Sequence, residues 1–294
     1  MHSSQEMTAK IEKCLQCPTC LEPIQATPLF PTGLHCNVCQ KKFPVVDGVI
    51  DFKEGHEKEK DANSLIQRVI GTNDGRQRDY WQNDGCYRNY AHPVVEKFAL
   101  QRLSYLAKLF PFEKIKSALD VGCGNGFSTY YMKKYVQEVW GLDSSSAMLS
   151  HHPLRGEGML LIADARSIPF NDKTFDLVYG WEALHHISNP REVLLEMIRV
   201  SKRYLLIIEP NPVNIAQFLF AIVDREHRWV FRYRLSKMRL MLRNCNLKIL
   251  AVKSGGWIFP NKTPLWLSSF LQKIPYESSF GISNWILAEK SENE

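Results

Sequence analysis

Residues 117–131 read SALDVGCGNGFSTYY. The first five are a short apolar run of the kind that forms a buried strand. Gly122, Gly124 and Gly126 follow as G-x-G-x-G, a pattern that lets the chain turn sharply and lets a ligand approach the backbone with no Cβ in the way. FSTYYMKKY then reads as a helix, VWGLD as a second strand, SSSAMLSHH as the start of a second helix and MLLIAD as a third strand. Strand, turn, helix and strand in this order predict an α/β fold with a parallel, doubly wound sheet and a ligand at the carboxyl ends of the strands.

Asp143 ends the second strand, 21 residues after Gly122, where an acid accepts hydrogen bonds from ribose hydroxyls. A dinucleotide fingerprint needs a third glycine at 127, and Phe127 stands there. The departure disfavours a pyrophosphate and favours a nucleoside without phosphates. Taken together, ALDVGCGNG, GLD and IADA resemble motifs I to III of the class I S-adenosylmethionine-dependent methyltransferases. The resemblance implies a seven-stranded, Rossmann-like sheet and S-adenosylmethionine as cofactor. It makes Gly122, Cys123 and Gly124 the floor under the methionine and ribose, with Asp120 of the same motif in the binding set. It gives Asp143 the ribose, Asp164 the adenine amino group and Ala165 a flank of the ring. Ser144 and Met148 line the adenine.

The next stretch, PFNDKTFDLVYGWEALHHISNPREVLLEMIRV, continues the family pattern as a fourth strand and its helix. In resembling proteins the segment after this strand lines the sulfonium and the acceptor, which here means Gly180, Trp181 and the residues to His186. ALHHI is familiar from the group that includes quinone-biosynthesis and other small-molecule methyltransferases. His185 or His186 is a candidate general base, because a neutral imidazole can take a proton near pH 7. The alternative is that one caps the helix and the other packs or faces solvent. RYLLIIE is the fifth strand, and EPNPVN after it places Glu209 and Asn211 at the sheet edge as candidate acceptor ligands. LKILAVK and NWILAEK complete seven strands. Between them, about 255–281, an insertion rich in Trp, Phe and Pro offers Trp257, Phe259, Asn261 and Trp266 as an acceptor wall, or else a flap sealing the sheet edge.

The amino-terminal part carries a different signal. Cys17, Cys20, Cys36 and Cys39 form two C-x2-C pairs separated by fifteen residues, the spacing of a zinc ribbon. Cys14 also forms a C-x2-C pair with Cys17, but the proline in CPTC suits a tight knuckle and CLQC has no turn former, which leaves Cys14 as a spare thiol. Four cysteine ligands leave no open coordination position, so such a site is structural and contributes on the order of 10 kcal/mol to folding. KFPVVDGVIDF after the ribbon reads as a β-hairpin. Ribbon and hairpin together resemble the small zinc-binding partner proteins that activate tRNA and protein methyltransferases. The expected organisation is therefore a small zinc-ribbon domain with its hairpin at 1–54, a linker and helical lead-in at 55–115, and the cofactor-binding domain at 116–294. In the lead-in, 92–110 has helical apolar spacing, while Tyr80, Trp81 and Tyr90 either close over a ligand or pack.

The chain has 294 residues, is 45% hydrophobic and carries a net charge of +6, as expected of an ordinary globular protein. Residues 224–248 hold eight Lys/Arg against two Asp/Glu. On a helix, Leu235, Met238, Leu242 and Cys245 share a face, so this stretch reads as a solvated helix, as a site for an anionic acceptor or membrane surface, or as an RNA contact. The first residues lack the apolar core of a secretory signal, and no apolar run is long enough to span a bilayer, so a cytoplasmic location is expected. The leading function is methyl transfer to a small-molecule or lipid-like acceptor. The alternatives are an rRNA or tRNA methyltransferase whose ribbon grips RNA, and a non-catalytic adapter that retains the cofactor.

Overall fold

The computed structural model describes residues 4–26, 33–53, 88–187, 189–223, 225–243, 245–260 and 262–291. Tyr80 and Trp81 lie outside this set. The strands are β1 (Ile24–Ala26), β2 (Gly33–Cys36), β3 (Lys42–Val46), β4 (Val49–Asp51), β5 (Ser117–Val121), β6 (Glu138–Asp143), β7 (Leu160–Ile162), β8 (Phe175–Trp181), β9 (Ser201–Pro210), β10 (Leu247–Gly255) and β11 (Ser283–Lys290). They form one mixed sheet in the order β1-β2-β3-β4-β7-β6-β5-β8-β9-β11-β10. Neighbours from β4 to β9 are parallel, and the outer pairs on both sides are antiparallel. The strand order reverses beside β5, which puts the glycine turn at the switch point where α/β sheets bind ligands.

The sheet thus has eleven described strands where the sequence predicts seven. β5 to β11 take up the seven predicted segments. The extra strands come from the cysteine-bearing segment, which continues the sheet through β4. β4 lies parallel to β7 with Val49 opposite Leu160, Ile50 opposite Leu161 and Asp51 opposite Ile162. The Phe52 amide extends the ladder by donating to the Ile162 carbonyl at 2.9 Å. Without this strand, β7 would present a row of unpaired backbone groups, which is a liability at any sheet edge.

Alternation along the strands sorts the core into two faces. Leu119, Val121, Val178, Leu205 and Ile207 belong to one apolar cluster, and Ala118, Leu177, Tyr179, Leu206 and Ile208 to the other. Ile11, Leu15, Ile24 and Phe43 of the amino-terminal segment join the first cluster, each at most 1% exposed. At about 1.5–3 kcal/mol for each large apolar side chain, that shared core holds the segment against the sheet. Two of these residues sit on or just beyond a helix, Ser4–Cys14, that the sequence reading did not anticipate.

The expected lead-in helix is α2 (Pro93–Leu106), counting Ser4–Cys14 as α1. Pro93 occupies its first turn and the His92 ring accepts from the Val94 amide at 3.2 Å, so both halves of its start signal come from the sequence. The basic stretch forms 3-10 turns over Arg225–Tyr233 and a short helix over Leu235–Met241. Met238 and Leu242 are buried as the pattern requires, while Cys245 lies beyond the helix end. No described helix is long and apolar enough to cross a membrane.

Candidate active site

At the switch point the Gly122 and Cys123 amides donate to the Leu142 carbonyl at 2.8 and 3.1 Å, stitching the glycine turn to the end of β6. Gly122 has φ +75°, and a Cβ there would meet the Ala183 methyl at 2.5 Å. Gly126 has φ +82°, and a Cβ there would stand 2.3 Å from the His152 ring. Both positions therefore demand glycine for space as well as for backbone conformation. Burial pushes the His152 imidazole down to about 4, which keeps it neutral against the Thr129 hydroxyl at 3.2 Å.

Asp143 is clasped from two sides. Its carboxylate oxygens accept from the Gly124 amide and from the Ser145 amide, each at 2.8 Å. Burial raises its pKa, and the two amides oppose that. A carboxylate has about four lone-pair sites, so two backbone donors leave room for two hydroxyl donors. Met148, held on the short helix Ser146–Leu149 by the Ser145 cap, reaches over the turn; its Cε lies 3.2 Å from where a Gly124 Cβ would be. The Ser144 carbonyl accepts from Lys53 Nζ at 3.0 Å, so the chain just after β4 touches the same edge. A bare backbone floor, a clasped acid and a thioether above it fit a nucleoside cofactor.

The other candidates for this half are placed as follows. Asp120 is wholly buried, and its Oδ2 accepts from the hydroxyls of Ser128 at 2.6 Å and Thr129 at 2.8 Å, which anchors the helix Phe127–Met132. Burial, partly offset by those hydroxyls, brings its pKa up to about 6. The Cys123 thiol turns into a small cluster with Val49, Leu149 and Leu160, leaving only its backbone at the floor. Asp164 holds the Arg166 guanidinium bidentately. Burial opposes ionisation, but Arg166 keeps the carboxyl below its usual range. Ala165 packs at the margin of the first core cluster. Gly180 lies beside Met197 and the Val121 carbonyl. Trp181 is 3% exposed, with ring centroids 5.9 Å from Phe98 and 5.4 Å from Phe127, so it is a member of the second core.

Beyond β8 the polar contacts span the whole chain. Glu182, at φ +55°, is held by Arg88 at 2.7 Å, by Ser283 Oγ at 3.2 Å and by Arg102 at 3.6 Å. Arg102 is itself 1% exposed, donates to Tyr276 Oη and Ser283 Oγ, and stacks over Trp181 at 4.7 Å. Burial works against the Glu182 anion, but Arg88 and Arg102 bring its pKa down to about 2. The sequence reading passed over Arg88 and Arg102. The signal for the latter was present: it sits four residues after Phe98, on the apolar stripe of the helix.

His185 Nδ1 lies 2.6 Å from Glu209 Oε2, and the Leu184 and His185 amides donate to the same carboxylate at 2.8 and 3.3 Å. Burial pushes the Glu209 carboxyl up, opposed by those amides. With two backbone amides donating to it and the His185 ring in contact, Glu209 fixes the position of His185. The His186 ring lies beside it, with centroids 3.9 Å apart and the planes tilted by 42°. Asn211 spends its amide on the Ser279 and Gly281 carbonyls and its oxygen on the Val213 amide, clamping the 279–282 turn to the sheet. Trp257 donates to the Pro275 carbonyl at 2.9 Å, Phe259 packs at the second core, and Trp266 is 75% exposed. Asn261 lies outside the described residues. Tyr90 packs against Tyr130 in a tilted pair with centroids 4.6 Å apart, and its carbonyl accepts from Tyr131 Oη.

The four cysteines come together at the far edge. Their Sγ atoms all lie within 4.8 Å of one another, with Cys17 to Cys39 at 3.5 Å and Cys20 to Cys36 at 3.4 Å. Tetrahedral thiolates around a zinc ion stand roughly 3.8 Å apart for a bond of about 2.3 Å, so the donor set and its spacing fit such an ion. Cys14 is not part of the group; its thiol turns to the Ile11 carbonyl, and burial raises its pKa to about 12.

Residues 119–206 match a family model described as a methyltransferase domain. The chain is similar to the ubiquinone biosynthesis O-methyltransferase of Hahella chejuensis, at 29% identity over 47% of this chain and 65% of that protein. It is also similar to the demethylmenaquinone methyltransferase of Thermotoga maritima, at 35% identity over 35% of this chain and 47% of that protein. The chain therefore spans less than two thirds of the length of these curated relatives. A crystal structure of a possible histamine N-methyltransferase from Thermotoga maritima superposes with a TM-score of 0.51 and 18% identity, covering 67% of this chain and 92% of that one. That likeness shows the fold. Residues 119–206 are thus similar to a methyltransferase domain, and the RNA alternative finds no support in these relatives.

Proposed function

We propose that this chain transfers the methyl group of S-adenosylmethionine to a small, lipid-like acceptor. The observation that carries the reading is the clasp of Asp143 by the Gly124 and Ser145 amides beside a side-chain-free turn. The quinone-methylating relatives support the acceptor class. S-adenosylmethionine, when bound, supplies a methyl group on a positively charged sulfonium. Gly122, Cys123 and Gly124 offer backbone to its methionine and ribose, Asp143 accepts the ribose hydroxyls, and Ser144 and Met148 flank the adenine. Asp164 receives the adenine amino group by sharing its carboxylate with Arg166, and Ala165 flanks the ring. Asp120, Gly180 and Trp181 shape the pocket from behind.

On the acceptor side His185 is the base. Glu209 accepts from Nδ1, fixes the tautomer and stabilises the imidazolium that forms as the acceptor gives up its proton. His186 packs against His185, Asn211 fixes the neighbouring turn, and Trp257 belongs to the acceptor wall. In-line transfer needs little more than positioning if the acceptor is already nucleophilic. In the amino-terminal segment Cys17, Cys20, Cys36 and Cys39 would hold a structural zinc, and the segment covers the sheet edge in cis.

The test is incubation of the full chain with methyl-labelled S-adenosylmethionine and a cell extract divided into lipid, small-molecule, protein and RNA fractions. Label in the lipid or small-molecule fraction is expected. Label confined to RNA, or to no fraction, overturns the reading.

A further inference from the structure

The most apolar of the described helices faces outward. In Ile215–Val223, sequence IAQFLFAIV, Gln217 and Ala221 are the buried positions. Ile215, Phe218, Leu219, Phe220, Ile222 and Val223 are all exposed, from 39% for Phe220 to 83% for Val223. Single exposed leucines are ordinary on a protein surface, but six large apolar side chains within nine residues make a contiguous patch, and such patches mark interaction surfaces. The proposed methyl transfer makes no use of it.

Three observations narrow the occupant. The first is charge: residues 213–243 hold seven Lys/Arg against two Asp/Glu, and Arg234 and Lys237 are exposed. Phe218 packs edge-on against Phe231 at 5.7 Å, which ties the apolar helix to this basic segment, and Arg232 stacks over Trp229 at 3.7 Å. The second is polarity. A protein interface carries about one hydrogen bond per 100–200 Å², whereas the one hydrogen-bonding side chain of this helix, Gln217, is buried and donates to the Ile282 carbonyl. A second copy docked through a two-fold axis would bring like-charged flanks together. The third is length: nine residues rise about 14 Å, half of a bilayer core, so the helix can lie on a membrane but cannot span it.

We propose that the helix Ile215–Val223 docks the protein on an anionic lipid surface. It lies in the plane of the bilayer with its apolar face in the headgroup–acyl boundary and with Arg234 and Lys237 at the level of the phosphates. The turns over Arg225–Tyr233 pack against Leu184–His186, so the docked face adjoins the edge that carries His185. A lipid-like acceptor then reaches the site from the bilayer without crossing water, a consequence that rests on the methyl-transfer reading. The docking itself does not.

The test is sedimentation of the full chain with vesicles of equal parts phosphatidylglycerol and phosphatidylcholine, and with vesicles of phosphatidylcholine alone. Binding to the anionic vesicles is expected, and Leu219→Ser with Val223→Ser should weaken it tenfold or more. Arg234→Ser and Lys237→Ser should each weaken it about fivefold, and all these variants should keep the wild-type circular dichroism and melting temperature. Failure of the wild-type protein to sediment with anionic vesicles overturns the proposal, as does unchanged binding by the Leu219/Val223 variant. A dimer that this variant dissociates, without vesicle binding, assigns the face to a second copy instead. Because vesicle binding is read without cofactor or turnover, its outcome is separable from that of the methyl-transfer assay.

Discussion

The two halves of the carboxyl edge are built over very different sequence distances. On the cofactor half, Asp120 meets Ser128 and Thr129, Asp143 meets Gly124 and Ser145, and Ser145 meets Met148, all within about 20 residues of chain. On the acceptor half, Arg102 meets Tyr276 and Ser283, Glu182 meets Arg88 and Ser283, and Asn211 meets Gly281, with separations from 70 to 181 residues. The first half is organised by one strand-turn-helix unit and its neighbour strand. In the second, the His185–Glu209 pair is near in sequence, but the contacts of Arg102, Glu182 and Asn211 exist only when the whole sheet has closed. Substitutions in the first half should therefore act on cofactor affinity, and substitutions in the second on global stability or turnover.

The largest effect is expected at Asp143. Asp143→Ala removes a charged acceptor for two hydroxyls and leaves two amides unpaired, a loss of about 4 kcal/mol, or close to a thousandfold in S-adenosylmethionine affinity. Calorimetric titration reads it directly. An affinity within threefold of wild type would remove the acid from the cofactor half.

Glu182→Gln comes next and should act on folding. Its partner Arg102 is buried, and leaving that charge without its anion costs about 3 kcal/mol, measurable as a shift in urea midpoint at pH 7. The pH dependence has a definite sign. The folded pKa of Glu182 is depressed from 4.5 to about 2. Its contribution is therefore present above about pH 4.5 and lost as pH falls toward 2. The Gln variant should lack that part of the acid limb, and an unchanged limb would contradict the assignment.

His185→Gln should lower kcat roughly a hundredfold, about 2.7 kcal/mol, with cofactor affinity unchanged. Loss of cofactor affinity instead would move His185 into the other half. The smallest effect is expected from Lys53→Ala. It removes a half-buried cation from the Ser144 carbonyl and should weaken cofactor binding about threefold, an effect that shrinks with added salt. A thousandfold loss there would show that the cysteine-bearing segment is part of the cofactor site rather than its neighbour.

The same difference in distance explains what was legible in the sequence. The glycine turn, Asp143 and the strand order around them follow from local periodicity and spacing, and the four cysteines follow from two short repeats. Glu209 and Asn211 were legible as residues at the sheet edge. Their partners were not: that Glu209 would lie under His185, and Asn211 would hold the 279–282 turn, depends on tertiary closure. The pairing of β4 with β7 was hidden for a related reason. A three-residue strand after a tight turn fits a free hairpin or a sheet edge equally well, and only the exposed ladder of β7 decides between them. Trp181 stands where the resemblance puts a pocket residue, and strand alternation sends its ring into the second core.

The central claim is that the edge at Gly122–Asp143 binds a nucleoside bearing no phosphates. The most direct test is calorimetric titration of the full chain with S-adenosylmethionine and, separately, with a nicotinamide dinucleotide. One bound S-adenosylmethionine per chain, absent in Asp143→Ala, and no heat from the dinucleotide are the expected results. Dinucleotide binding without S-adenosylmethionine binding would contradict the account.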